Sequence, residues 1–100
     1  MNKSDLIAMV AKNAGTTNRD AEAVLEAFRD VVQANVKAGT DVSYPGLGKF
    51  ARADRKARIA RNPRTGEEVK VKATKVPRFS AAAELKRVVS GASPAPRLMR

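Results

Sequence analysis

Arg52-Ala53-Asp54-Arg55-Lys56-Ala57-Arg58-Ile59-Ala60-Arg61-Asn62-Pro63-Arg64-Thr65-Gly66-Glu67-Glu68 decides how this chain folds, because its only large aliphatic side chain is Ile59. A sheet buried on one face needs an apolar residue at every second position, so this stretch has nothing to bury. On its near side, Lys49-Phe50-Ala51-Arg52-Ala53-Asp54-Arg55 alternates small or apolar residues with charged ones; on its far side, Val69-Lys70-Val71-Lys72-Ala73 does the same. Between them, Arg61-Asn62-Pro63-Arg64-Thr65-Gly66 is rich in turn formers. The pattern predicts a long hairpin with its tip at 61–66. Two-stranded ribbons are marginal on their own in water, so this one is expected to project from the body and to be mobile until something binds it.

Toward the N-terminus the period changes to that of helices. Asn2 with Asp5 forms a capping pattern before Leu6, Ile7, Met9 and Val10, and Gly15 ends the segment. Thr17 with Asp20 repeats the pattern. Ala21, Val24, Leu25, Phe28, Val31, Val32 and Val36 then follow at steps of three and four up to Gly39. Two helices joined by so few residues should form an antiparallel αα-hairpin. Residues 41–44 alternate and Pro45-Gly46 marks a turn. Beyond the ribbon, Ser80 is expected to cap a short helix over 81–89 with Leu85, Val88 and Val89 on one side. The remainder, from Ser90, is rich in Pro, Ser and Ala and reads as a disordered tail.

The fold class that follows is α+β: an N-terminal αα-hairpin, a small antiparallel sheet extended into a β-ribbon arm, and a short C-terminal helix. One domain is expected over 1–89, with a helical dimerisation part at 1–40, the sheet and arm at 41–79, the last helix at 80–89 and the tail at 90–100. With roughly a quarter of the chain extruded, the body nears the size at which a monomer struggles to bury enough surface. Val24, Leu25, Phe28, Val31 and Val32, with Phe50 and Phe79, offer more apolar surface than the first helix and a short sheet can cover. They are therefore expected to form a dimer core.

Charge locates the partner. The 100 residues carry 20 Lys and Arg against 10 Asp and Glu, a formal +10. Residues 1–48 hold five basic and six acidic side chains, whereas residues 51–78 hold ten basic and three acidic. The basic set is Arg52, Arg55, Lys56, Arg58, Arg61, Arg64, Lys70, Lys72, Lys75 and Arg78, and solvated faces normally mix signs more evenly. Nucleic acid is the expected partner, met in the minor groove and along phosphates. With few aromatic residues to stack on bases, duplex DNA is favoured over an RNA-binding or ribosome-associated alternative. An anionic-membrane binder would need a basic amphipathic helix, which neither long helix supplies.

Other chemistries have little footing. Neither Cys nor His is present, so disulfides, thiolate or imidazole metal sites and the commonest nucleophile–base pairs are excluded. Asp5, Asp20, Glu22, Glu26 and Asp30 have no evident partner base, and no enzymatic activity, cofactor, metal or small-molecule ligand is expected. Gly46-Leu47-Gly48-Lys49-Phe50-Ala51 superficially fits a dinucleotide fingerprint, but a strand follows it instead of a helix. A tight turn is the better reading. Pro63 has two readings, a turn former or an apolar wedge flanked by Arg61 and Arg64 that unstacks a base step. No apolar run long enough for a signal peptide or membrane span opens the chain, which suggests a soluble cytosolic protein.

Gly46-Leu47-Gly48-Lys49-Phe50, the tip motif at 61–66, and Lys75-Val76-Pro77-Arg78-Phe79, in this order and spacing, resemble the HU and integration host factor family of bacterial histone-like proteins. The resemblance covers residues 1 to about 89 and is closest to HU. It implies an intertwined dimer, homotypic or paired with a paralogue, whose arms wrap the minor groove and bend and compact duplex DNA largely without sequence preference. It also implies intercalation by Pro63 and DNA contacts from Lys3, Arg55, Arg58, Arg61, Asn62, Arg64, Lys70, Lys72, Lys75 and Lys86. A nucleoid-associated protein of bacterial or phage origin would fit. Leu47 stands where the family usually has Phe, Tyr44-Pro45 replaces an apolar pair, and the tail from Ser90 exceeds a minimal HU. That tail leaves a more sequence-selective, integration-host-factor-like subunit as the alternative branch.

Overall fold

In the computed structural model, which describes residues 1–99, the chain forms three helices and five strands. Helix α1 spans Lys3–Ala14 and α2 spans Asn18–Lys37. Both begin where the local chemistry directs. The Asn2 side chain accepts from the Asp5 N–H while the Asp5 carboxylate accepts from the Asn2 N–H, a reciprocal cap; Thr17 accepts from the Asp20 N–H. Each such cap satisfies donors that have no partner inside the helix and contributes about 1 kcal/mol. Gly15 ends α1 in the left-handed conformation.

Strands β1 (Val42–Tyr44), β2 (Gly48–Arg55) and β5 (Thr74–Ala81) form an antiparallel sheet in the order β1-β2-β5. Strands β3 (Arg58–Arg61) and β4 (Glu68–Val71) form a separate two-stranded ribbon. The expected hairpin is thus interrupted. The last pair of the sheet is Arg55 with Thr74, and pairing resumes at Arg58 with Val71. Two residues are skipped on each side, Lys56-Ala57 and Lys72-Ala73, so the ribbon continues in the register of the sheet.

Two expectations are corrected beyond the ribbon. Ser80 does not cap the last helix; it lies in β5, opposite Lys49. Helix α3 runs Ala83–Ser90, with Ala82 as its N-cap and no side-chain cap. The reason is the ladder: Gly48 pairs with Ala81, and the Ala82 N–H donates to the Leu47 carbonyl at 2.9 Å, so the backbone is held extended past Ser80. Pro77 does not interrupt β5 because β5 is an edge strand, where a missing N–H is tolerated. Gly48 is buried beneath the same strand, and a Cβ there would stand 2.6 Å from Phe79 Cζ. Past Ser90 the described residues have no regular structure, and the chain returns to α1. There the Asn13 carboxamide accepts from the Met99 N–H at 2.8 Å and donates to the Met99 carbonyl at 3.1 Å.

The single chain buries little. Among the described residues, only Ile7, Ala11 and Ala21 form a buried cluster, between α1 and α2. The accessible surface is 8469 Å², against roughly 5,500 Å² expected of a folded monomer of this mass. The radius of gyration is 19.2 Å, against about 13 Å for a compact chain of 100 residues. Part of the excess is the arm. Another part is an open apolar face: Val24 is 67% exposed, Val31 52% and Phe79 50%.

Candidate nucleic-acid interface

Alternation along β2 and β5 sorts their side chains into two faces. Phe50 lies opposite Phe79 with ring centroids 5.0 Å apart, on the face toward α2. The opposite face carries Lys49, Ala51, Ala53 and Arg55 from β2, with Thr74, Val76, Arg78 and Ser80 from β5. Ala51 and Ala53 make a shallow floor beside Arg55 and Arg78, a feature the reading of charges alone did not single out. From this floor the ribbon projects, in a molecule 58 Å long and 25 Å in its narrowest extent.

Arg55, Lys56, Arg58, Arg61, Arg64, Lys70, Lys72, Lys75 and Arg78 are all exposed. Among the described residues, none of them has a carboxylate within ion-pair distance. The structure therefore strings these cations along the arm and its root without internal neutralisation. A narrow ribbon so charged fits a polyanion, and its phosphate contacts would release counterions.

The tip is closed by its own hydrogen bonds. Asn62 Oδ1 accepts from the Arg64 N–H at 2.9 Å, the Asn62 carbonyl accepts from Gly66 at 2.8 Å, and the Asn62 N–H donates to the Glu67 carbonyl at 2.9 Å. Gly66 has φ +74, which a side chain would rarely allow. Asn62 thus has a structural task at the tip. Pro63 sits exposed in the turn that Asn62 closes, between Arg61 and Arg64.

The other named residues are distributed differently. Lys3 stands at the start of α1 and pairs with Glu26 at 2.9 Å, with Glu22 at 4.0 Å. Exposed pairs of this kind are weak and exchangeable. Lys86 is exposed on α3, apart from the arm. Arg52 is the exception among the ribbon cations: it is tied to Asp54 and to the end of α2. The dimer-core candidates Val24, Phe28, Val31 and Phe79 are exposed, and Leu25, Val32 and Phe50 half-buried. Val32, Val36, Phe50, Pro77 and Phe79 help line a cavity of about 600 Å³ between α2 and the sheet. Among the described residues, no helix is long and apolar enough to cross a membrane, and no three acidic residues group as metal ligands.

Comparison with known proteins gives this geometry a family. The family described as bacterial DNA-binding protein matches residues 1–90. The chain belongs to this family. Among its HU relatives, DNA-binding protein HU of Pasteurella multocida is 45% identical over 89 residues, covering 89% of this chain and 99% of the relative. DNA-binding protein HU 2 of Streptomyces coelicolor is 45% identical over 97 residues, 97% of this chain. The chain spans 44% of that protein's length. In three dimensions it is similar to Anabaena HU in a cocrystal with DNA, with a TM-score of 0.79 and 40% identity over 90% of this chain and 98% of that one. Thermotoga maritima HU gives a TM-score of 0.62 at 28% identity over 89% of this chain and 98% of that one.

Proposed function

We propose that this chain is an architectural DNA-binding protein that dimerises, lays two arms along the minor groove and bends duplex DNA without strong sequence preference. The observation that carries the reading is the projecting ribbon of unneutralised cations ending in a self-closed turn with Pro63 exposed. Cations on the arm meet phosphates and position the ribbon; an apolar ring at its tip can unstack a base step. Unstacking costs a few kcal/mol, offset by the extra backbone contacts a bent duplex allows. The DNA contacts are assigned to Arg55, Arg58, Arg61, Arg64, Lys70, Lys72, Lys75 and Arg78 on the arm and its root, with Lys3 and Lys86 on the body.

Dimerisation follows from the open apolar face. Val24, Phe28, Val31 and Phe79, with the cavity beside Phe50, supply a surface of the kind that obligate dimers bury, typically 2,000 Å² or more in total. A second copy would cover it and turn two arms outward. The role needs no catalytic group, and association with the nucleoid follows from non-specific DNA binding. Gel-shift titrations of linear, nicked and pre-bent duplex beside matched duplex RNA test the proposal. Nicked and pre-bent DNA should bind most tightly; equal affinity for the RNA would overturn it.

A further inference from the structure

Arg52 differs from the other cations of the ribbon in what it touches. Its Nη1 donates to the Lys37 carbonyl at 3.0 Å, its Nε lies 2.9 Å from Asp54 Oδ1, and its Nη2 lies 3.4 Å from Asp54 Oδ2. The side chain is 24% exposed, against 61% for Asp54. Across the sheet Arg52 pairs with Pro77, near the point where the sheet gives way to the ribbon.

The other end of this contact is the carboxyl terminus of α2. A helix leaves its last four carbonyls without partners, and a cation there is favoured by the helix dipole. Here the Ala34 carbonyl accepts from Ala38, Asn35 from Thr40, and Val36 from Gly39. Lys37 is the one left over, and Arg52 supplies its donor. Gly39 makes room for this. At φ +89 it turns the chain away from the helix, and a Cβ on it would stand 3.3 Å from the Arg52 guanidinium.

We propose that Arg52 is a positioning residue that latches the root of the arm to the end of α2, and is not one of the arm's DNA contacts. The reading rests on the DNA-binding role above. A guanidinium meets one carbonyl and both oxygens of one carboxylate through a planar fork that an ammonium cannot reproduce. The latch spends Arg52 on Asp54, so this pair adds no net charge to the arm. It fixes the direction in which β2 and β5, the root of the arm, leave the body.

Charge and geometry are separated by comparing Arg52→Lys, Arg52→Gln, Asp54→Asn and Arg58→Gln in the full chain. Without DNA, hydrogen exchange at Gly39, Thr40 and the Arg55–Thr74 end of the ladder should quicken about tenfold in Arg52→Gln and nearly as much in Arg52→Lys, since local opening there loses its restraint. Asp54→Asn should quicken it less. With DNA, both Arg52 variants should keep the wild-type slope of log K against log salt while bending duplex less at saturation, as read by energy transfer between its ends. Arg58→Gln should make that slope shallower. The latch is overturned if exchange is unchanged in both Arg52 variants, or if Arg52→Gln lowers the slope as Arg58→Gln does and Arg52→Lys restores it. Should Arg52→Gln fail to fold, Arg52→Lys and Asp54→Asn carry the same comparison. A wild-type slope near zero would overturn the DNA-binding reading, and exchange in the free protein would still decide the latch.

Discussion

Replacing Arg58 with Gln removes one positive charge from each arm while disturbing almost nothing else. Arg58 stands at the start of β3 opposite Val71, is exposed, and has no carboxylate within ion-pair distance. Its loss should alter folding stability by no more than about 0.5 kcal/mol, as for other exposed positions outside caps and networks. Each neutralised phosphate contributes about −0.9 to the slope of log K against log salt. With one Arg58 contact on each of two arms, the variant's slope should be shallower by about 1.8. Between about 50 and about 200 mM salt, that difference amounts to roughly a twelvefold smaller loss of affinity than the wild type suffers. Fluorescence anisotropy titrations on one short duplex at four or five salt concentrations, with a thermal melt of each protein as control, measure it. If the melts agree and the slopes are the same, Arg58 does not meet a phosphate, and the argument from unneutralised charge on the arm is wrong at this position.

Pro63→Ala should keep the wild-type salt slope, since no charge is lost, but bend duplex less and close short DNA rings less efficiently; equal end-to-end energy transfer in both proteins would reduce Pro63 to a turn former. Gly48→Ala places a methyl group 2.6 Å from Phe79 Cζ. It should lower stability in urea by about 1–3 kcal/mol through overpacking, and an unchanged midpoint would mean that β5 yields freely. Val31→Glu puts a charge in the middle of the open apolar face and should shift the protein from dimer toward monomer at micromolar concentration. Sedimentation velocity reads this directly, and an unchanged dimer would place the interface elsewhere.

Local chemistry was readable from the sequence, and contacts across the fold were not. The Asn2–Asp5 and Thr17–Asp20 caps and the Gly15 terminus involve residues within a few positions of one another, so the chain order displays them. The arm was legible for the opposite reason: residues 52–68 lack anything to bury, which no neighbour elsewhere in the fold can change. Ser80 has the right side chain for a cap, yet its place was decided by Lys49 across the ladder. Pro77 is tolerated in β5 because that strand lies at an edge of the sheet, which nothing in the local sequence says. Arg52 carries the same charge as Arg55, and what distinguishes their tasks is its pairing with Asp54 and with the carbonyl of Lys37, fifteen positions away. Leu25, Val32 and Phe50 were marked as apolar by their spacing, but how far one chain leaves such residues open is a property of the assembled surface.

The break between sheet and ribbon has a geometric consequence for changes in length. Because two residues are omitted on each strand, the ribbon can hinge at Lys56-Ala57 and Lys72-Ala73 without changing which side chains face one another. Hinging alters the direction of the arm but not its parity. Deleting Ala57 alone would offset the strands by one position and turn over one edge of the ribbon, setting Ile59 where Arg58 had been. Deleting Ala57 together with Lys72 would shorten the reach and restore the pairing of Arg58 with Val71. Length changes in this arm should therefore be tolerated in matched pairs, one on each strand, and poorly when single.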